Sequence, residues 1–197
     1  MTPPLARELA AALARPAAGA TIAGDGLPAD RDTGAPVHPA AVLIAVTNRA
    51  RPGVILTERN AALRRHAGQI AFPGGRIDPG EDVVTAALRE AHEEIALPPD
   101  RVSLVGAIDP YVTVTGYHVV PVLGVVPPDL PLTPAEAEVA DWFEVPLDHL
   151  IDPGNQFERE MDWQGARRRY WEIPWQERRI WGATAAMLVN LGRRLRG

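Results

Sequence analysis

The sequence predicts an α/β fold in which a sheet is covered by helices on both faces, and three observations carry that reading. Residues 40–47 form an unbroken apolar run of strand length, the pattern of a strand buried on both sides. Further runs of strand character follow at 54–57, 69–72, 102–108, 117–126 and 141–145. Between them, residues 81–96 place Val84, Leu88, Ala91 and Ile95 at spacings of four, three and four, the apolar stripe of an amphipathic helix. Residues 168–173 read as a late strand, with aromatic Tyr170 and Trp171, and 181–195 as a closing helix. Strands mixed with a few helices are compatible with a layered sheet.

Residues 1–38 differ from the rest and are read as a lead-in. Positions 5–13 suit a short amphipathic helix, whereas 16–36 are rich in Ala, Gly, Pro and Asp and are expected to be extended or mobile. Residues 39–197 contain no repeat or linker and form one domain of a size that supports a substantial core.

Composition removes several classes of function. With no cysteine, the chain has no disulfide, thiolate metal site or cysteine nucleophile. A net charge of −5 argues against general nucleic-acid binding. No apolar run approaches the roughly 20 residues that span a bilayer, and Arg7, Glu8 and Pro16 interrupt the first apolar segment, so it does not read as a secretory signal. A cytoplasmic protein is the expectation. All 20 basic residues are arginine, so every cationic phosphate contact must come from a guanidinium fork. The clusters Arg167-Arg168-Arg169, Arg178-Arg179 and Arg193-Arg194 read as solvated faces.

The chemistry concentrates in the helix. Glu93 and Glu94 follow Glu90 by three and four residues, so a regular helix puts all three carboxylates on one face. Pro98-Pro99 ends the helix near Leu97. Glu93 and Glu94 therefore fall in its last turn, where each carboxylate opposes the helix dipole at a cost of roughly 0.3–1 kcal/mol. A divalent cation would reverse that sign, and the cluster is read as its binding face.

The run Gly75, Glu81, Arg89-Glu90, Glu93-Glu94 and Leu97 is similar to the Nudix box, G-x5-E-x7-R-E-U-x-E-E-x-G-U with U a bulky aliphatic residue. Ala91 is smaller than the usual aliphatic, and Ala96 replaces the last glycine; with Pro98 following, the chain is expected to leave the helix without that glycine's left-handed cap. Upstream, Leu56-Thr57, Arg59, Arg64, Gly68 and Phe72-Pro73-Gly74-Gly75 resemble the signature of the coenzyme A pyrophosphatase branch of the same family, with Ile55 and Asn60 as departures.

The resemblance implies a Nudix-type α/β/α sandwich with a mixed sheet and a loop–helix–loop catalytic motif. It implies a Mg²⁺- or Mn²⁺-dependent enzyme that hydrolyses the pyrophosphate of coenzyme A, a small-molecule substrate, to adenosine 3′,5′-bisphosphate and 4′-phosphopantetheine. The alternatives are a Nudix hydrolase of another nucleoside diphosphate compound, such as ADP-ribose or a dinucleotide, and a non-catalytic Nudix module that binds a nucleotide. Glu90 and Glu94 are the expected metal ligands, with Glu93 a third, and the Gly74-Gly75 turn lets a backbone carbonyl approach the same ion. Arg89 is expected to orient the carboxylates through Glu81 or a neighbour. Glu93, Glu138 and Glu136 are the candidates for the general base. Arg59 and Arg64 are expected to hold substrate phosphates, one of them reading the 3′-phosphate of coenzyme A, with Gly68 shaping the approach.

Overall fold

The computed structural model describes residues 2–25, 37–61, 68–163 and 165–197. The apolar run becomes β1 (His38–Thr47), the centre of a mixed sheet. It is flanked by β2 (Gly53–Arg59), β3 (Ile70–Ala71), β4 (Gly74–Arg76), β5 (Ser103–Ala107), β6 (Tyr111–Val112), β7 (Tyr117–Val126) and β8 (Val139–Pro146). The main path runs β3-β2-β1-β7-β5, with β4 also on β1, β6 on β7 and β8 on β2. β1 and β7 run parallel over ten residue pairs, from His38–Tyr117 to Thr47–Val126. The other pairings in this sheet are antiparallel.

Alternation along β1 divides the core in two. Ile44 and Val46 point to one side, where they join Leu56, Leu123, Leu188 and Leu191. Leu43 and Ala45 point to the other, among Ala86, Ala87, Ile95 and Val122. Helix α2 (Val83–Ile95) covers this second side; α1 (Pro4–Leu13), α3 (Leu147–Ile151) and α4 (Ala183–Arg196) pack on the first. The molecule is thus an α/β/α sandwich on a mixed sheet, as the sequence led us to expect.

Asp82 starts α2 as its N-cap, accepting the backbone N–H groups of Val84 at 2.9 Å and Thr85 at 3.0 Å. The other end differs from expectation. Ala96 itself takes the left-handed conformation, φ 53° and ψ 30°, and its N–H donates to His92 O at 2.9 Å. The glycine is missing but the turn it would make is retained, so this alanine carries a strain of about 1–2 kcal/mol.

Two further differences concern regions where apolar patterning is weak. Residues 157–181 form a separate antiparallel sheet, β9 (Phe157–Trp163), β10 (Ala166–Trp175) and β11 (Arg178–Trp181). Its strands are joined by charge: Arg167 pairs with Glu160 at 2.8 Å, Arg159 with Glu172 at 3.5 Å and Arg169 with Glu160 at 3.6 Å. Trp181 closes β11 rather than opening the last helix, which begins after Gly182 at φ 65°.

The lead-in is also better held than its composition suggests. Ala6, Leu9 and Ala12 of α1 are buried, and residues 16–25 form a strap across the molecule. The Asn190 side chain accepts from Ile22 N–H and donates to Ile22 O, both at 2.9 Å. Ala18 N–H donates to Arg193 O at 2.8 Å, and Asp25 accepts Val114 N–H at 2.6 Å. The expectation for residues 26–36 lies outside the described residues.

Candidate active site

The glycine turn and the α2 carboxylates meet because β4 lies beside the first half of β1, with Gly74 opposite Val42 and Gly75 opposite Ala41. A Cβ at Gly74 would stand 2.5 Å from Ala41 O, and one at Gly75 would stand 2.5 Å from the Glu90 carboxyl group. Two glycines are therefore required, one against the strand and one against the carboxylate.

Arg89 organises the acidic groups. Its Nε and Nη2 donate to the two oxygens of Glu81 at 2.9 and 3.0 Å, a two-pronged pair. Nη1 donates to Glu90 at 2.9 Å and Glu93 at 3.1 Å, and Nη2 also donates to Arg76 O at 3.0 Å. Hydrogen bonding from Arg89 holds the Glu81 carboxyl below its ordinary range. Every prong of this guanidinium is occupied within the protein, which suits an orienting role and not a substrate contact.

The three carboxylates do not share one environment, although one Arg89 nitrogen bridges Glu90 and Glu93. Glu94 is buried, Glu90 half-buried, and Glu93 is turned outward with 57 % of its side chain exposed. Glu94 accepts Gly74 N–H at 3.3 Å, and Arg59 Nη1 stands 4.0 Å from its other oxygen. Those partners do not compensate for burial, which pushes the Glu94 carboxyl up to about 7. Burial also raises Glu90, against the opposing pull of Arg89.

A loop between β7 and β8 backs this arrangement. Thr133 N–H donates to Ile95 O at 3.1 Å and Ala135 N–H to Glu94 O at 2.8 Å, so the loop satisfies the last carbonyls of α2. It carries Glu136 and Glu138, both exposed, and is tied to the end of β2 through Asn60 Nδ2 on Glu136 O at 2.7 Å and Asn60 N–H on Glu138 O at 2.8 Å. The charge of Glu138 acts on both Glu90 and Glu94 and raises them further. Glu138 is thus electrostatically part of the site, whereas Glu136 meets it only through its backbone. Sequence spacing could not give this, because the loop lies 44 residues beyond Glu94 at Glu138 (138 less 94).

Of the upstream signature, Arg59 ends β2 beside Glu94, and its Nε is shut off from solvent without a hydrogen-bond acceptor among the described residues. Gly68 has φ 67°, donates to Arg59 O at 3.1 Å, and closes the neck of the loop that leaves Arg59. Arg64 lies outside the described residues.

A family model described as the NUDIX domain matches residues 37–172. An uncharacterized Nudix hydrolase called NudL from Citrobacter koseri is 46 % identical over 154 residues, which cover 77 % of this chain and 80 % of the relative. Its counterpart from Cronobacter sakazakii is 44 % identical over 153 residues, with the same coverage of 77 % and 80 %. Among solved structures, a Nudix hydrolase from M. smegmatis, RenU, is similar with a TM-score of 0.50 at 25 % identity, covering 59 % of this chain and 78 % of that one.

Proposed function

The chain belongs to the Nudix family, and from that premise we propose that it hydrolyses the pyrophosphate of coenzyme A, releasing adenosine 3′,5′-bisphosphate and 4′-phosphopantetheine. The observation that carries this reading is continuity. The signature from Leu56 to Gly75 runs from an arginine beside Glu94, through Phe72-Pro73, into the turn that faces Glu90. Its retained carboxylates favour an enzyme over a nucleotide-binding module that has lost catalysis.

The residues fit a hard divalent cation. The groups around the glycine turn offer oxygen donors, and Glu94 is a buried carboxylate whose nearest cation is 4.0 Å away. Among the described residues no three acidic or histidine side chains converge into a closed cage. That suits Mg²⁺ or Mn²⁺ held by one or two carboxylates, water and substrate phosphate better than a cation needing a full protein shell. Glu90 and Glu94 would hold it, with Glu93 and the Gly74 carbonyl as further ligands. When bound it would neutralise the pyrophosphate and acidify a water.

The protein's own contributions follow from the geometry. Arg89 fixes the position of Glu90 while leaving its inward side clear, because Gly75 has no Cβ. Gly74 N–H orients Glu94. Arg59 takes a pyrophosphate oxygen, supplying the acceptor that its guanidinium lacks. We assign the general base to Glu138 in preference to Glu93, whose carboxylate is already bound to Arg89. Glu138 would take a proton from the attacking water as its oxygen bonds to one phosphorus, while the bridging P–O bond breaks and the other half leaves as a phosphate monoester whose freed oxygen keeps the bonding pair.

Purified protein with Mg²⁺ should be offered coenzyme A, ADP-ribose and dinucleotides, with products identified by mass. Coenzyme A should give the two named products with the highest kcat/KM. ADP-ribose cleaved far more efficiently would replace this substrate with the alternative. Glu94→Gln should retain the circular dichroism of the wild type and lose most turnover; near-normal kcat at low Mg²⁺ would remove Glu94 from the metal site.

A further inference from the structure

A cavity of about 190 Å³ opens between the large sheet and the small one, with walls that include Gln69, Thr115, Met161, Arg168, Tyr170 and Trp181. Its position follows from register. Met161 lies opposite Arg168 across β9 and β10, and Tyr170 follows Arg168 by two residues, so all three present side chains to one face of the small sheet. The other wall is the β6–β7 turn at Thr113, Val114 and Thr115.

The cavity and the carboxylate site lie at the same end of the large sheet. β1 begins at His38, which pairs with Tyr117 just after that turn, and Ala40 and Ala41 pair with Arg76 and Gly75. β2 ends at the same edge with Arg59, whose N–H donates to Gln69 O at 3.0 Å. Gln69 belongs to the cavity wall and Arg59 stands beside Glu94. A substrate laid across this end of the sheet reaches α2 with one part and the cavity with another.

Arg168 distinguishes this cavity from an apolar cleft. Its neighbours Arg167 and Arg169 are each paired with glutamates, but the Arg168 side chain has no hydrogen bond or ion pair among the described residues, and its Nε is shut off from solvent. A half-buried guanidinium without a counter-charge is costly, and an anion relieves the cost. Gly182 and Ala183, at the start of α4, also line the cavity, and no side chain caps that helix. Its free N–H groups and positive dipole end add to the preference for an anion. The one carboxylate in the wall, Asp25, is already engaged by the Tyr111 hydroxyl and Val114 N–H. Tyr170 and Trp181, whose rings meet edge to face at 5.8 Å, add aromatic apolar surface to the same wall.

We propose that this cavity is the subsite for the nucleotide end of the substrate, with Arg168 gripping a ribose phosphate that is not part of the scissile pyrophosphate. The inference rests on the coenzyme A reading above and deepens it. It places recognition of the 3′-phosphate on β10 in place of Arg59 or Arg64, and leaves Arg59 to the pyrophosphate.

The test is a calorimetric titration, without metal, of adenosine 3′,5′-bisphosphate and adenosine 5′-monophosphate into wild type, Arg168→Gln, Arg168→Lys and Thr115→Phe. The wild type should prefer the bisphosphate by about tenfold or more, the worth of one charge-assisted contact. Arg168→Gln should abolish that preference, Arg168→Lys should restore part of it, and Thr115→Phe at the exposed rim should weaken both ligands. A preference absent in the wild type, or undiminished in Arg168→Gln, overturns the proposal. Circular dichroism checks the fold; if Arg168→Gln does not fold, unchanged binding of both ligands by Thr115→Phe overturns it instead. The titration reads no hydrolysis. A protein that binds the bisphosphate selectively yet fails to cleave coenzyme A would sink the substrate reading and leave the cavity assignment standing.

Discussion

An added Cβ at Gly75 would stand 2.5 Å from the Glu90 carboxyl group, closer than real side chains approach, and Glu90 cannot swing away without breaking its bond to Arg89. Gly75→Ala should therefore keep its melting temperature within a few degrees while kcat falls by about tenfold or more. An unchanged kcat would show that the Glu90 position is not critical. Ala96 gives the opposite case, a residue whose backbone favours glycine and which touches no substrate group. Ala96→Gly should stabilise the protein by about 1 kcal/mol, raising the melting temperature by roughly 2–4 °C at unchanged kcat. Residues of this kind differ in how legible they are. The Glu81–Arg89 pair was within reach of the sequence through the family resemblance, which put Glu81 or a neighbour beside Arg89. The separate fates of Glu93 and Glu94 could not. A helical wheel places both at the cluster, but the packing of Glu94 against the Gly74 turn and the end of β2 makes it the buried one.

At the scale of elements, legibility follows apolar periodicity. β1, β7 and α2 announce themselves because both their faces or one stripe must be buried. β9 does not, and β10 does so only over residues 168–173, because arginine and glutamate are matched across this ladder and leave little hydrophobic alternation to read. Helix α2 invites two tests. Removing its cap in Asp82→Ala should cost about 1 kcal/mol of stability, measured by denaturant midpoint. Its buried Glu94 should make metal-free protein sensitive to pH. The folded-state value, about 7, lies above the ordinary carboxyl value of 4.5, so the folded protein holds a proton that the unfolded chain releases. Stability from this group is complete below the lower value and is lost as pH rises toward the upper one. In chelator, Glu94→Gln should gain on wild type in melting temperature between pH 5 and pH 7.5. A constant difference would show that Glu94 titrates normally.

For the whole molecule, the same burial links ligand to fold. A cation that binds only the folded site adds RT ln(1 + [L]/Kd), about 2.7 kcal/mol at a hundredfold excess over Kd. Millimolar Mg²⁺ should accordingly raise the melting temperature of the wild type, and Glu94→Gln should lose most of that rise. An active protein with no rise would speak against a preformed site. The strap of residues 16–25 has a different global effect. Ile22 is held by Asn190, 168 residues away along the chain, and Ala18 by Arg193. During synthesis Ala18 and Ile22 must wait for α4, whereas Asp25 finds the β6–β7 turn as soon as that turn has emerged. The strap therefore docks in two stages, its far end first and its middle only once the closing helix is made.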